Sequence, residues 1–542
     1  MKTKTHKPNK VSIITLGCSK NTVDSEVLQS QLTGGRVHSV HEDTADADTI
    51  IINTCGFIDN AKQESIDTIL QFAEEKKAGN IENLIVTGCL SERYKEDLSP
   101  EIPEVDKWYG TFELPQLLNH LGVDYKKELL GERKSSVSRH YAYMKISEGC
   151  DRPCSFCAIP LMRGKHVSKS IDELVAEAKG LVRDGIKEIM LIAQDSTYYG
   201  IDLYGERRLH ELMDRLSDIE GLEWLRLHYA YPSKFPFEVL PIINSKPNIC
   251  KYLDIPIQHI SDNVLKTMRR GITKRRTEEV LDRIKAEVSG IALRTTLLVG
   301  HPGEYEQDFE ELKSFVEQYK FNRLGVFTYS HEGGTHAGTL EDHVAEEIKA
   351  ARAEEIMGIQ HDISFMHNQA LVGTEQKIII DRIEGDFYMG RTQFDSPDVD
   401  NEVLLPLSSG YLRLGQILSD VHCSKLNGEA FNFAPKSEQN HTVVKLLKDL
   451  GKYWGFNDEN DAFIITDNIP FNEAGLLKLN CEKALYFLNW EPTLTYDETI
   501  NFIGDWYNAF YLKSVNMKDF TYNQIKLYES KALSRNQIWI NE

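Results

Sequence analysis

Three cysteines, Cys150, Cys154 and Cys157, fall within eight residues of one another in the stretch Tyr143 to Ser168. A β-branched and aromatic run ends at Gly149, and Pro153 and Pro160 keep the loop that follows from becoming a helix. Three thiolates on so short a loop point into one small volume. A site-differentiated [4Fe-4S] cluster needs that arrangement, because three irons take cysteine and the fourth stays open for an exchangeable ligand. Zinc in a structural site wants four closed ligands, and the nearest fourth candidates, His140 and His166, lie outside the usual finger spacings. A disulfide would leave one of the three thiols unpaired, and nothing upstream reads as a secretion signal.

A second set emerges from the elements that would position it. Val11 to Leu16, Thr49 to Asn53 and Asn83 to Thr87 read as buried parallel strands, with helices near Thr22 to Leu32, Ala61 to Lys77 and Ser91 to Leu98. Each strand ends in a glycine beside a cysteine: Gly17-Cys18, Cys55-Gly56 and Gly88-Cys89. In an open parallel sheet ligands bind beyond the carboxyl ends of the strands, so Cys18, Cys55 and Cys89 share the chemical edge. Buried cysteines that merely cap strands are the plain alternative. Repetition over three strands favours a second three-cysteine iron-sulfur site.

The central region again alternates strand and helix. Strands are expected near Ala142 to Ser147, Glu188 to Ala193, Leu222 to Leu227, Lys251 to Ile255, Ile291 to Leu298 and Arg323 to Tyr329. Helices include Ile171 to Asp184, Arg208 to Ser217 and Thr277 to Val288. Six such units suggest an open (β/α)6 barrel with chemistry at the strand carboxyl ends. Those ends carry Gln194 to Thr197, His228, Gln258-His259 and Gly300 to Glu304, each as readable as a loop cap as a ligand contact. Arg294 sits inside an apolar strand, where a charge needs a partner, either an anionic ligand or a neighbouring acid. No residue stands out as a catalytic acid, base or nucleophile.

At 542 residues the chain is too long for one core. The expected divisions are 1–125 for the first cysteine domain, 136–370 for the central domain, 371–404 for a small β-module and 405–542 for a mostly helical tail. A polar stretch from Lys126 to Ser138 reads as a linker. The net charge of −21 makes nucleic acid an unlikely partner, and between Thr374 and Leu405 eight Asp/Glu stand against three Lys/Arg. No apolar run approaches the length of a membrane span, and the cysteine usage fits the reducing cytosol.

The Cys-x3-Cys-x-Phe-Cys spacing resembles the signature of radical S-adenosylmethionine (SAM) enzymes. That resemblance implies that the amino acid end of SAM chelates the open iron, that one electron cleaves SAM to a carbon radical, and that Phe156 lies near the adenine. With both cysteine sets, residues 11 to about 404 resemble the methylthiotransferases. The strings are Thr15-Leu16-Gly17-Cys18-Ser19-Lys20-Asn21, Val86 to Arg93, Lys145 to Lys165, Ala193-Gln194-Asp195, Tyr252 to Gly271 and Asp395 to Asp400. They sit nearest the branch that modifies ribosomal protein S12, since the tRNA-modifying relatives usually carry Gln-Met-Asn after the first cysteine.

The resemblance implies a small parallel-sheet domain, a radical SAM barrel and the beginning of a β TRAM module. It further implies two [4Fe-4S] clusters, on Cys150, Cys154 and Cys157 and on Cys18, Cys55 and Cys89. SAM would lie near Phe156, Gln194 and Arg294, the substrate would be an aspartate of S12, and a flavodoxin or ferredoxin would donate electrons. A tRNA adenosine methylthiotransferase and an inactive chimera that only cleaves SAM are the alternatives. Such chemistry calls for two cluster-bearing domains face to face around a closed cavity. In the tail, the strings Pro406 to Leu412, Gly428 to Phe433, Leu477 to Ala484 and Leu488 to Pro492 resemble the substrate region of nucleotide-sugar 4,6-dehydratases, closest to the CDP-glucose type. No Gly-x-Gly-x-x-Gly accompanies them, and Tyr522 with Lys526 is a chance spacing.

Overall fold

The computed structural model describes residues 10–126, 129, 133, 135, 136, 138, 140–384, 387–406, 443–454, 490–512, 515–535 and 537. Nine elements form the first domain: β1 (Lys10–Thr15), α1 (Ser19–Gly34), β2 (His38–His41), β3 (Thr49–Thr54), α2 (Asp59–Lys77), β4 (Asn83–Gly88), α3 (Cys89–Glu101), β5 (Lys107–Trp108) and α4 (Leu114–His120). Their strands make a parallel sheet of order β2-β1-β3-β4-β5. The run Thr49–Thr54 is buried along its whole length, as a central parallel strand covered on both faces must be. Edge strands β2 and β5 carry no continuous apolar run, and the sequence pattern does not mark them.

The second domain comprises β6 (Tyr141–Lys145), β7 (Ser147–Glu148), α5 (Ile159–Arg163), β8 (Val167–Ser168), α6 (Ile171–Arg183), β9 (Glu188–Ile192), α7 (Ile201–Tyr204), α8 (Leu209–Ser217), β10 (Trp224–Leu227), α9 (Val239–Ser245), β11 (Ile249–Asp254), α10 (Asp262–Thr267), α11 (Lys274–Glu287), β12 (Ala292–Val299), α12 (Glu306–Tyr319), β13 (Arg323–Thr328) and α13 (Glu346–Leu371). Six parallel strands run in the order β13-β12-β11-β10-β9-β6, so β6 and β13 are the open edges of the expected (β/α)6 arrangement. One apolar core lies between the strands and the outer helices. Helix α6 shows how local sequence serves it: Ser170 and Glu173 form a capping box, and Ile171, Leu174, Ala178 and Leu181 face the core.

The inner face of this sheet is charged. Arg226 and Arg391 both bind Glu188, at 2.8 Å each, and Arg391 also holds Asp381. The segment after β15 (Phe387–Thr392) fastens Asp395 to Arg323, Ser396 to His228 at 3.0 Å, Asp398 to the Tyr143 hydroxyl at 2.8 Å and Asp400 to that of Tyr252 at 2.7 Å. This corrects one inference from composition. Asp381, Asp395, Asp398 and Asp400 are half of the acids counted between Thr374 and Leu405, and they pair inward, so the count overstates the charge presented to solvent.

The stretch read as a linker also differs from expectation. Arg133 is fully buried and joins Glu26 of α1, Glu177 of α6 at 2.8 Å and the carbonyl of Tyr143. Residues 1–381 and 390–403 accordingly form one compact unit, containing both the first and second domains. The other unit comprises residues 382–389 and 404–542, and β14 (Ile378–Glu384), β15 and β16 (Val403–Pro406) pair in that order in a three-stranded sheet. It contains α14 (Val443–Gly451), α15 (Tyr496–Leu512) and α16 (Met517–Ser534), where Glu498 binds Lys531 and Arg535. The stretch Asn480 to Leu488, whose pattern reads as helical, and nearly all of the dehydratase-like strings fall outside the described residues; Tyr522 and Lys526 lie in α16.

Candidate functional site

The loop that carries Cys150, Cys154 and Cys157 is pinned at three points. The β7–β8 pair closes its base, with Ser147 opposite Ser168. Gly149, at φ +71°, admits no side chain there, since a Cβ would lie 2.0 Å from the carbonyl of Lys165. The Ser155 amide donates to the Met268 carbonyl at 2.9 Å, and Cys157 runs through Ala158 into α5. Arg152, between the first two cysteines, donates to Asp195 at 2.7 Å, and Asp195 is occupied further by Thr197.

Two side chains address the Cys154 sulfur: Arg270 Nη1 at 3.3 Å and the Tyr231 hydroxyl at 3.5 Å. Burial pushes Cys150 up to about 11 and Cys157 up to about 12, and each thiol is raised further by the charge of the neighbouring cysteines. These thiols therefore ionise readily only when a bound cation replaces lost water. Two sulfurs on one zinc stand within about 4 Å, given a Zn–S bond near 2.3 Å. Among the described residues no three Cys, His, Asp or Glu side chains converge on such a point. The zinc candidates are also engaged elsewhere, His140 with Asp381 at 2.7 Å and His166 with Ser168 at 3.0 Å. Among the described residues every cysteine is free.

Cys18, Cys55 and Cys89 follow β1, β3 and β4, three adjacent strands of the first sheet. Gly17, at φ +89°, allows their close approach: a Cβ on it would sit 2.5 Å from Cys55 Cβ and 2.7 Å from its sulfur. Asn21 ties the strand ends, donating to the carbonyls of Leu16 at 2.7 Å and Thr54 at 3.1 Å. Cys55 is braced by Ser65, and burial pushes Cys89 up to about 12. Arg163 opposes that rise, with Nε 3.3 Å from the Cys89 sulfur.

Arg163 is also what joins the two sets. It ends α5, lies almost wholly out of solvent, and bonds Asn21, Asp24 of α1 at 2.8 Å and Glu148 of β7 at 3.1 Å. Cys89 packs with Ala158, just before α5, and with Met162, next to its end. That helix rises only about 6 Å over its length. The sequence pattern does not single out Arg163; its one signal is a cation directly after the apolar Ala-Ile-Pro-Leu-Met run that follows Cys157.

Further contacts latch the first domain over the carboxyl edge of the second sheet. Lys20 lies 3.1 Å from the centre of the Tyr229 ring, beyond β10, and Lys145 of β6 binds Asp24. At the other edge strand, buried Glu332 takes Lys62 of α2 and Arg93 of α3, both at 2.8 Å. The first domain thus reaches from the β6 side to the β13 side.

The remaining expected contacts fall into two groups. Phe156 meets His301 edge-on, and His301 meets Tyr329, whose buried hydroxyl has no hydrogen-bond partner among the described residues. Burial pushes His301 down to about 4 and His259 down to about 3, leaving both rings neutral, and the Gln194 side-chain oxygen is buried without a partner among the described residues. Arg294, by contrast, is engaged by Asp254 at 3.1 Å and Asp400 at 3.4 Å, the acidic partners that were one of its two expected readings. His228 is held between Ser396 and Asp254.

Comparison with known proteins agrees with this architecture. Residues 10–110 match the family described as uncharacterized protein family UPF0004, residues 144–316 the radical SAM superfamily and residues 372–419 the TRAM domain. The ribosomal protein uS12 methylthiotransferase RimO of Flavobacterium johnsoniae is 57% identical over 421 residues, 77% of this chain and 96% of that protein. The chain belongs to the RimO methylthiotransferase family. RimO of Cytophaga hutchinsonii is 53% identical over 416 residues, again 77% of this chain, and 95% of that protein. A radical SAM methyltransferase, TsrM of Kitasatospora setae, gives a TM-score of 0.47 at 13% identity over 76% of this chain and 88% of that structure. Membership of the RimO family makes the chain a radical SAM methylthiotransferase, and the TRAM match runs past Leu404. Among the described residues no helix is long and apolar enough to cross a membrane.

Proposed function

We propose that the chain places a methylthio group on the β-carbon of an aspartate in ribosomal protein uS12, using SAM and two [4Fe-4S] clusters. Cys150, Cys154 and Cys157 would hold the cluster that meets SAM, and Cys18, Cys55 and Cys89 the auxiliary one. The observation that carries this reading is the approach of the two sets across α5, with Arg163 on the Cys89 sulfur at one end and Cys157 beside the other. When bound, the clusters and SAM would supply the radical chemistry needed to open an unactivated C–H bond and the sulfur to be placed there.

The protein's own part is positional. Arg270 and Tyr231 orient Cys154, and the Arg152–Asp195 pair fixes the loop between the first two ligands. Gln194 offers an unused buried acceptor suited to an ammonium group, such as that of SAM. Phe156, His301 and Tyr329 form an aromatic wall suited to a purine. Arg294, already neutralised by two carboxylates, would act on SAM only by exchanging one of them. The α1 and Glu332 latches would hold the first domain over the edge where a reactive carbon must meet sulfur.

Expression in cells lacking their own activity, with mass spectrometry of uS12 peptides and of tRNA hydrolysates, tests the reading. The expected result is a methylthio mass increment on an aspartate peptide of uS12, absent with Cys89→Ala, and unchanged tRNA. An increment on tRNA adenosine with unmodified uS12 would overturn it.

A further inference from the structure

The cysteine loop also has an outer side. Pro153, between Cys150 and Cys154, lines a groove of about 1050 Å³ whose other walls come from residues 232–237, α10 and the start of α11. Lys234, Lys266 and Arg269 line it and are exposed, and none of the three has an ion-pair partner among the described residues. Arg276 lies there too but is paired with Glu279. Asp262 is the acid among the lining residues, and its carboxylate accepts the Lys274 amide at 2.6 Å. On a chain of net charge −21, three uncompensated cations around one groove run against the overall balance.

The groove is also next to the ligand loop. Arg269 is followed by Arg270, whose guanidinium reaches the Cys154 sulfur at 3.3 Å and whose carbonyl accepts from Tyr231 at 2.8 Å. Met268 receives the amide of Ser155. A single layer of residues thus separates the groove floor from a cluster ligand. Lys234 and Arg269 both hold left-handed backbone, at φ 58° and 56°, in the turns that shape the rim.

We propose that this groove docks an acidic one-electron carrier protein of the flavin or iron-sulfur type, which reduces the cluster on Cys150, Cys154 and Cys157; the proposal rests on the reading of those cysteines given above. One electron leaves the reduced carrier and enters the cluster, the carrier is oxidised by one electron, and no bond is made or broken. Opposite charge steers such brief encounters and supports fast exchange through a small interface. Ribosomal RNA is the other anion that three cations attract, but RNA has no use for proximity to Cys154, and the chain's net charge repels a polyanion. A substrate protein that itself binds RNA carries positive charge and is repelled from this rim.

The test uses the full, anaerobically reconstituted chain with two reductants: a purified reduced flavodoxin and dithionite. In the Lys234→Glu, Lys266→Glu, Arg269→Glu triple variant, flavodoxin-driven bleaching of the cluster absorbance slows about ten-fold or more and loses its salt dependence. Dithionite bleaches variant and parent alike, with equal iron content. Lys266→Glu alone, on an exposed position of α10, gives a smaller slowing with the fold intact. Flavodoxin reducing the triple variant at the parent rate overturns the proposal, as does loss of RNA retention with an unchanged flavodoxin rate. If dithionite reduces no cluster in the parent, the reading of the cysteines fails and the docking proposal falls with it.

Discussion

The two cysteine sets are built in opposite ways. Cys150, Cys154 and Cys157 come from one loop whose shape is set by local pinning, whereas Cys18, Cys55 and Cys89 come from three strand ends and meet only when the first sheet has formed. The loop set is half-buried throughout; the strand-end set has one exposed and two buried members. A loop motif carries its ligands as a unit, so its spacing is readable and its assembly is local. A strand-end site is as good as its sheet, and any residue that holds the strand ends together is part of the site.

Replacing the cysteines proposed as ligands gives the largest separation between the sets. Cys154→Ala abolishes SAM cleavage and uS12 modification together, while Cys89→Ala keeps reductive SAM cleavage and loses the modified peptide, both read by chromatography of SAM products. Loss of SAM cleavage in Cys89→Ala would show that the two sets are not separable.

Gly17→Ala comes next. The left-handed backbone costs a non-glycine residue about 1–3 kcal/mol, and the added methyl collides with Cys55. Iron at the strand-end set should fall by half or more with the loop set unchanged, seen as the loss of one of two Mössbauer or paramagnetic resonance signals. Arg163→Gln removes the cation shared by Asp24, Glu148 and Cys89, at a cost of about 3 kcal/mol in thermal or denaturant unfolding. It also shifts the signal of the strand-end cluster, whereas Arg163→Lys restores much of the stability and little of the spectrum.

The last effect is on stability alone. Burial holds His228 below its ordinary value, His259 near 3 and His301 near 4. The unfolded chain binds protons that these folded rings refuse, so their contribution to stability is complete above about pH 7 and is lost as pH falls through the ordinary histidine range. His259 and His301 each cost up to about 2 kcal/mol at pH 5 in denaturant titration of the apo chain, and His228 acts in the same direction. A flat profile from pH 7 to 5 would mean that these rings accept protons in place.

Much of this was legible in sequence because periodicity and strand-end glycines are local signals. The buried runs Thr49–Thr54 and Glu188–Ile192 emerge as strands within a residue or so of their expected ends. The loop cysteines are marked by spacing and the strand-end cysteines by repetition. What sequence hides is pairing at a distance. Arg133 reads as part of a polar linker yet stitches α1 to α6, and the Asp395 to Asp400 acids read as surface charge yet bind Arg323, Tyr143 and Tyr252. Charge composition says how many ions there are and nothing of which way they face.

The most direct measurement is the cluster content of the anaerobically reconstituted full chain beside a Cys18→Ala, Cys55→Ala, Cys89→Ala variant, by iron analysis with Mössbauer spectroscopy. Two four-iron clusters predict roughly eight irons in the parent and roughly four in the variant, the remainder still changing its spectrum on addition of SAM. A parent holding roughly four irons, or a variant that retains the parent content, would contradict the assignment of the strand-end cysteines.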